Sequence, residues 1–252
     1  MVSEKICAME EKIVIITGAA SGIGKGIARK FLGENWRAVC FDISKKSLEK
    51  TASDFNEDGF KNFELFEGDC GTLASWQNLK QILSGGSEKI GAVINNAGIG
   101  INKPVQDLSL EEWNRVMATN VASVFLSAKV FGDILKKNGA PMVNIASTRA
   151  LMSEANTEAY SASKGAVVSL THALAMSLAP ARVNCISPGW IDNGSNSPLT
   201  KEDHLQHPAG RAGVPSDIAE LAFFLADNSK SGFITGQNFY CDGGMTKKMI
   251  YV

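Results

Sequence analysis

Three side chains of this sequence could handle a proton together. Tyr160 and Lys164 stand four residues apart in Tyr160-Ser161-Ala162-Ser163-Lys164, and Ser147 ends an apolar run a short way upstream. Four residues is just over one helical turn, so on a helix the phenol and the ammonium share a face about 6 Å apart. A positive charge at that distance favours phenolate and draws a phenol with a free pKa of about 10 toward neutrality. A shift of about three units corresponds to roughly 4 kcal/mol of differential interaction. A phenol so poised can act as general acid or base. Tyr-x3-Lys also occurs on ordinary exposed helix faces, so its meaning depends on what the other elements bring beside it.

Those elements are readable from apolar patterning. Short runs rich in Val, Ile and Phe, without period-two alternation, predict strands at Lys12–Thr17, Arg37–Asp42, Asn62–Glu67, Ala92–Asn95, Pro141–Ala146, Arg182–Ser187 and Asn238–Cys241. Such runs suit strands buried on both faces of a parallel sheet. Helical patterns fall between them at 22–34, 44–56, 71–84, 109–137, 157–179 and 214–227. Alternation of this kind implies right-handed crossovers and a doubly wound Rossmann-type α/β sheet, here seven parallel strands with helices on both faces. The 252 residues fit one domain, 1–252, with residues 1–8 as a flexible tail.

Composition narrows the function. Hydrophobic residues make up 44% and charged residues 20% of the chain, so a large core is expected and disorder is not. Lys plus Arg (25) nearly balances Asp plus Glu (26), giving a net charge of −1 and no polyanion-binding surface, which argues against nucleic acid as a partner. The five cysteines lack Cys-x-x-Cys spacing, and three lie in strand-like runs, as expected of a reduced cytoplasmic protein. His172, His204 and His207 form no ligand pattern, so no metal is expected. No apolar run approaches the roughly 20 residues of a membrane span, and the N-terminus has no signal-peptide core.

The glycine-rich stretch Thr17-Gly18-Ala19-Ala20-Ser21-Gly22-Ile23-Gly24 joins the first strand to the first helix. Its glycines allow a tight turn and close approach to a pyrophosphate, which the helix N-terminus favours through unpaired N–H groups and its dipole. Asp42 ends the second strand, 18 residues after Gly24. An acid there accepts hydrogen bonds from ribose hydroxyls and repels a 2′-phosphate, favouring NAD over NADP. Asp69, after the third strand, is placed either to meet adenine or to cap a helix. Asn95-Asn96-Ala97-Gly98 offers small and amide residues at the end of the fourth strand, for close cofactor approach or simply for a turn. Asn120, inside a long helix, is a poor helix former that can open the backbone ladder locally or be a tolerated polar residue.

Taken together, Thr17–Gly24, Asp42, Asn95–Gly98, Asn120, Ser147, Tyr160, Lys164 and Pro188-Gly189 resemble the short-chain dehydrogenase/reductase family, over about residues 11–246 and in family order. The bacterial 3-oxoacyl-carrier-protein reductases and glucose 1-dehydrogenases are the nearest in flavour, and Gly236–Gly244 fits that group. The resemblance implies a catalytic tetrad of Asn120, Ser147, Tyr160 and Lys164. Ser147 would hydrogen-bond the substrate oxygen, Tyr160 would exchange the proton, Lys164 would lower the Tyr160 pKa and hold the nicotinamide ribose, and Asn120 would hold a water linking Lys164 to solvent. It implies an NAD site lined by Gly18, Ser21, Gly22, Ile23, Gly24, Asp42, Asp69, Cys70, Asn96, Ala97, Gly98, Pro188, Gly189 and Ile191, with Thr119 near the nicotinamide side. The implied reaction is NAD-dependent interconversion of a secondary alcohol and a ketone; an NADPH-dependent 3-oxoacyl thioester reductase is the alternative, and a non-catalytic nucleotide-binding scaffold a more distant one. A homotetramer or dimer is implied, through helices 109–137 and 157–179 and through helix 214–227 with the last strand.

The sequence also departs from the family pattern. Cys70 replaces an aliphatic residue beside Asp69. The stretch after Pro188-Gly189 reads Trp190-Ile191-Asp192-Asn193-Gly194, without the Thr that often contacts the cofactor there, and Ser195 or Ser197 could substitute. Residues 190–210 interrupt the strand–helix alternation after the sixth strand, at the sheet edge where α/β proteins bind ligands, and read as a short mobile substrate lid. Arg149 and Trp190 are the leading substrate contacts, with Met152, Glu154 and His204 as further candidates. Arg149 could meet an anionic substrate or lie at the surface.

Overall fold

The computed structural model describes residues 12–85, 90–194 and 198–249. Seven parallel strands form one sheet in the order β3-β2-β1-β4-β5-β6-β7. They are β1 (Ile13–Thr17), β2 (Arg37–Asp42), β3 (Phe63–Glu67), β4 (Ile90–Asn95), β5 (Met142–Ile145), β6 (Val183–Pro188) and β7 (Asn238–Cys241). The order reverses between β1 and β4, so the crevice for a ligand opens above the carboxyl ends of those two strands. The expected strands are all present, with ends displaced by one or two residues. The proposed N-terminal tail lies outside the described residues.

The continuous apolar runs follow from burial on both faces. In β1, Val14 and Ile16 pack beneath α1 (Gly22–Gly33), α2 (Lys45–Glu57) and α8 (Pro215–Ala226), with Phe31, Leu48, Phe55 and Ile218. Ile13 and Ile15 point the other way, toward α3 (Leu73–Ile82), α5 (Ser123–Asn138) and α6 (Glu158–Ser177). There Trp76 stands edge-on to Phe41, with ring centroids 5.0 Å apart, and its indole N–H donates to the Cys70 carbonyl at 2.8 Å. Each fully buried side chain of this kind contributes about 1.5–3 kcal/mol relative to exposure.

The helix expected at 109–137 is three pieces. Ser109 starts α4 (Leu110–Met117) with a capping box to Glu112, a π-helical turn occupies Ala118–Ala122, and α5 continues to a left-handed Gly139. Asn120 sits in the π turn, so the helix ladder is indeed opened at the residue whose propensity was odd. The run Leu110–Asn138 is long and apolar enough to cross a membrane by length and composition, but half of its most apolar window is buried within the fold, the pattern of a core helix. Two short helices were not anticipated: α7 (Lys201–Leu205) and α9 (Asn228–Ser231). Each is about one turn long, too short for an apolar period to emerge.

A buried amide relay sets α6 against the sheet. Asn95 on β4 donates to Asn144 on β5 at 2.8 Å, and Asn144 donates to the Thr171 hydroxyl on α6 at 2.9 Å. Both hydrogen bonds form only in this register, so the relay favours one rotation of the helix carrying Tyr160 and Lys164, although the Asn95 side-chain oxygen is buried with no hydrogen-bond partner among the described residues.

Candidate active site

A cleft of about 1090 Å³ runs over the carboxyl ends of the strands. That is the size of a large ligand pocket. Eighteen of the residues singled out from sequence line it. They are Gly18, Ser21, Gly22, Ile23, Asp42, Asp69, Cys70, Asn96, Ala97, Gly98, Ser147, Arg149, Tyr160, Lys164, Pro188, Gly189, Trp190 and Ile191; Thr119, Met152 and Glu154 line it as well. Gly24, Asn120 and His204 do not.

The glycine loop is built by backbone contact. Gly18 has φ +64°, and a Cβ there would stand 2.9 Å from the Ala97 Cα. A Cβ on Gly24 would fall 2.1 Å from the Gly18 carbonyl oxygen. Gly24 therefore acts from behind the loop, as the spacing that lets α1 approach β1, rather than as a cleft residue. Asn96 fastens the loop to β4: its amide donates to the carbonyls of Thr17 and Gly18 at 3.0 and 3.1 Å, and its backbone N–H donates to the Thr17 hydroxyl. Ser21 occupies the N-cap position of α1 without capping it, so its hydroxyl and the first N–H groups of α1 are available to an anion.

Asp42 accepts from the backbone N–H groups of Ala20 at 3.1 Å and Ser44 at 3.0 Å, which holds its carboxylate against the loop. Lys45 and Lys46 are exposed and do not line the cleft. Asp69 is not the cap of α3, whose N-cap position is Thr72; one of its carboxylate oxygens accepts from the Gly71 N–H at 2.8 Å in the turn leading to that helix, and the residue lines the cleft. Burial, then the charge of Asp69, pushes the Cys70 thiol up to about 12, so it behaves as a small apolar wall. Backbone crowding, nearby carboxylates and an uncapped helix start fit a dinucleotide with its pyrophosphate at the loop and its ribose at Asp42.

The residues expected to handle a proton gather at the other end. Lys164 is only 3% exposed; its Nζ donates to the Ile145 carbonyl at 2.8 Å and lies 5.6 Å from the Tyr160 ring centroid. A Cβ at Gly98 would stand 3.2 Å from that Nζ, so glycine leaves the ammonium its room. Ser147 Oγ accepts from the Arg149 N–H at 3.1 Å and faces the same cleft. The Asn120 side chain is committed to protein partners: Oδ1 accepts from Ile99 N–H at 2.8 Å, and Nδ2 donates to the Ile99 carbonyl and the Ser163 hydroxyl. Its side chain thereby locks the loop after β4 onto α6.

The segment expected to act as a lid is tied down near its ends. Ile191 pairs with Gly213, and the N–H groups of Asp192 and Gly213 donate to the Gly213 and Trp190 carbonyls. The segment thus extends past 210, to where Arg211 clamps Asp217 through two 2.7 Å hydrogen bonds. His204 accepts from the Ala212 N–H through Nδ1, which ties the segment to itself. Ser195 and Ser197 lie outside the described residues. Sequence reasoning missed Ile43, Gly68, Arg115 and Met245 as cleft residues, and it covered Asn193 and Gln206 only through segment 190–210 as a whole. Two carried a signal: Ile43 follows Asp42, and Arg115 lies about one helical turn before Thr119. Met245 arrives from a distant segment and carried none. Among the described residues, no cluster of His, Cys, Asp or Glu could hold a metal ion.

Comparison with known proteins agrees with this geometry. The family described as Enoyl-(Acyl carrier protein) reductase matches residues 18–246. An uncharacterized oxidoreductase of Thermotoga maritima is 40% identical, covering 96% of this chain and 99% of its own. A 3-oxoacyl-[acyl-carrier-protein] reductase of Chlamydia muridarum is 34% identical over 93% of this chain and 97% of its own. The solved structure of an apo SCOR enzyme from Clostridium thermocellum superposes with a TM-score of 0.86 at 36% identity, covering 96% of both chains. With its seven-stranded parallel sheet, glycine loop and Ser–Tyr–Lys cleft, the chain belongs to the short-chain dehydrogenase/reductase family of oxidoreductases.

Proposed function

We propose that this oxidoreductase interconverts a secondary alcohol and its ketone with NAD, Tyr160 being the general acid and base. The observation that carries the reading is the convergence of Ser147, Tyr160 and the buried Lys164 ammonium on one end of a cleft whose other end is a glycine loop with Asp42. The bound nicotinamide supplies or accepts the hydride. Tyr160 takes the alcohol proton in oxidation and returns it in reduction. Ser147 donates to the substrate oxygen as negative charge develops there. Lys164 keeps a positive charge beside the phenol and is held by Ile145. Asn120 positions this group by tying Ile99 to Ser163, one residue before Lys164.

The Asp42 carboxylate supports NAD over NADP, since it places a negative charge where a 2′-phosphate would sit. The similarity to a 3-oxoacyl reductase keeps an NADPH-dependent thioester reductase as the second reading. The segment 190–213 acts as the substrate lid. Exposed Leu110 and Phe125 on the α4–α5 face and Met176 on α6 support assembly into a tetramer through those helices. Buried free Cys40, Cys70 and Cys185 suit a reducing, cytoplasmic setting. The test is a turnover screen with NAD and NADP over sugars, hydroxy acids, acyl thioesters and steroids. Turnover with NAD on an alcohol or ketone is expected; preference for NADP with an acyl thioester would install the second reading.

A further inference from the structure

Resting on the reading above, we propose that the substrate is a short hydroxy acid or its oxo counterpart, and that Arg149 receives its carboxylate by displacing Glu154. Three charged side chains line the substrate end of the cleft: Lys164, Arg149 and Glu154. Lys164 is committed to Tyr160 and to the Ile145 carbonyl. Arg149 pairs through Nη2 with Glu154 Oε1, and the partners differ sharply in burial, 27% exposed for the arginine side chain and 73% for the glutamate. Such a pair is weak against solvent and salt. Both stand at the cleft, the cation the more sheltered and the anion the more exposed, so an incoming carboxylate can take over the arginine while Glu154 turns fully into water.

The loop is built for that exchange. Its backbone is anchored by the Thr157 hydroxyl donating to the Glu154 carbonyl at 2.6 Å and by Ser153 hydrogen-bonded to Ser161. The Glu154 carboxylate is thus free to swing without the loop unfolding. The Arg149 backbone N–H donates to Ser147 Oγ, so the guanidinium is carried on the same short turn as the hydroxyl that meets the reacting oxygen. We therefore take the ligand to be short, with its carboxylate within one arginine side-chain length of its carbinol. The remaining cation on the cleft wall, Arg115, belongs to the cofactor end: Ala118, three residues on, brings its carbonyl to 3.3 Å from a Cβ at Gly71, beside Asp69. One available arginine matches one negative charge and offers a planar fork suited to a carboxylate; a phosphate dianion would leave charge unpaired next to the displaced Glu154.

The experiment compares short 2- and 3-hydroxy acids with their neutral amides on the full-length wild type and on R149Q, R149K and E154Q. The wild type should prefer the acids by about tenfold or more in kcat/KM, and R149Q should erase that preference by raising KM for the acids by a much larger factor than for the amides. R149K should retain part of it, and E154Q should lower KM for the acids. Equal or better turnover of the amides, or an R149Q loss shared equally by acids and amides, overturns the proposal. Calorimetric titration of the same acids separates it from the parent reading. Arg149-dependent binding without turnover of any alcohol sustains the carboxylate site and removes the catalytic reading; alcohol turnover without acid preference does the reverse.

Discussion

The two ends of the cleft are made by different means. At the cofactor end the chain is positioned by backbone crowding: Gly18 against Ala97, Gly24 against the Gly18 carbonyl, Asn96 bonded to the carbonyls of Thr17 and Gly18. At the substrate end the walls are loops closed by side-chain pairs, Arg149 with Glu154 and Arg211 with Asp217. Contacts of the first kind admit one shape and tolerate almost no substitution. Contacts of the second kind can exchange partners, as one scaffold must if it is to serve many alcohols.

The largest effect should come from the point where the ends meet. Tyr160→Phe should lower turnover by about 10²–10⁴-fold while NAD affinity stays nearly constant; steady-state kinetics beside calorimetric titration checks both, and normal turnover would end the assigned mechanism. Gly24→Ala sharpens the contrast at the crowded end. With a Cβ 2.1 Å from a carbonyl oxygen, the loop must move, and a loss of NAD binding of about a hundredfold or more is expected, with a lower melting temperature. An unchanged Kd would show that the loop is softer than its geometry implies.

Asp42→Ala should reduce the NAD over NADP ratio of kcat/KM by about tenfold or more, as one unpaired charge is removed. A wild type that already prefers NADP would break the argument from that carboxylate.

The substrate end predicts a pH effect. Hydrogen bonds from Arg211 hold the Asp217 carboxyl below its usual range, against the opposing effect of burial. A depressed carboxyl stabilises the fold fully above its unfolded value of about 3.9 and loses that contribution as pH falls through the folded value. The melting-temperature gap between wild type and Asp217→Asn should therefore be open at pH 7 and close below about pH 4. A gap independent of pH would mean that the clamp acts through shape alone.

The smallest effect concerns thiols. Burial pushes Cys40 and Cys70 up to about 12 and Cys185 up to about 11. Native protein should leave all three unalkylated by iodoacetamide at mildly alkaline pH, by mass spectrometry, although Cys70 borders the cleft. Rapid labelling of Cys70 would mean that the cofactor end opens more than its packing suggests.

Legibility in the sequence followed the same division. Strands buried on both faces must be apolar throughout, and glycine where a Cβ cannot fit leaves a fixed spacing, so the sheet, the loop and Asp42 could be read directly. Tyr160 and Lys164 were legible because a helix maps spacing onto one face. Asn120 was visible as a propensity anomaly, yet its three hydrogen bonds to Ile99 and Ser163 were not, since they join segments 21 and 43 residues away. The pairing of Arg149 with Glu154, the hydrogen bond of His204 to Ala212, and the arrival of Gln206 and Met245 at the cleft likewise depend on how loops return.

The sequence by itself determined the alternation of buried strands and helices, the glycine loop between β1 and α1, and the placing of Tyr160 and Lys164 on one helix face, because each is a local consequence of residue type and period. The tertiary structure alone decided which carboxylate faces which cation, that the amide relay from Asn95 through Asn144 to Thr171 orients α6, and that the segment after β6 is pinned at Ile191 and Gly213. Those outcomes are set by long-range packing, where a polar group takes whatever partner the folded chain brings within hydrogen-bond reach.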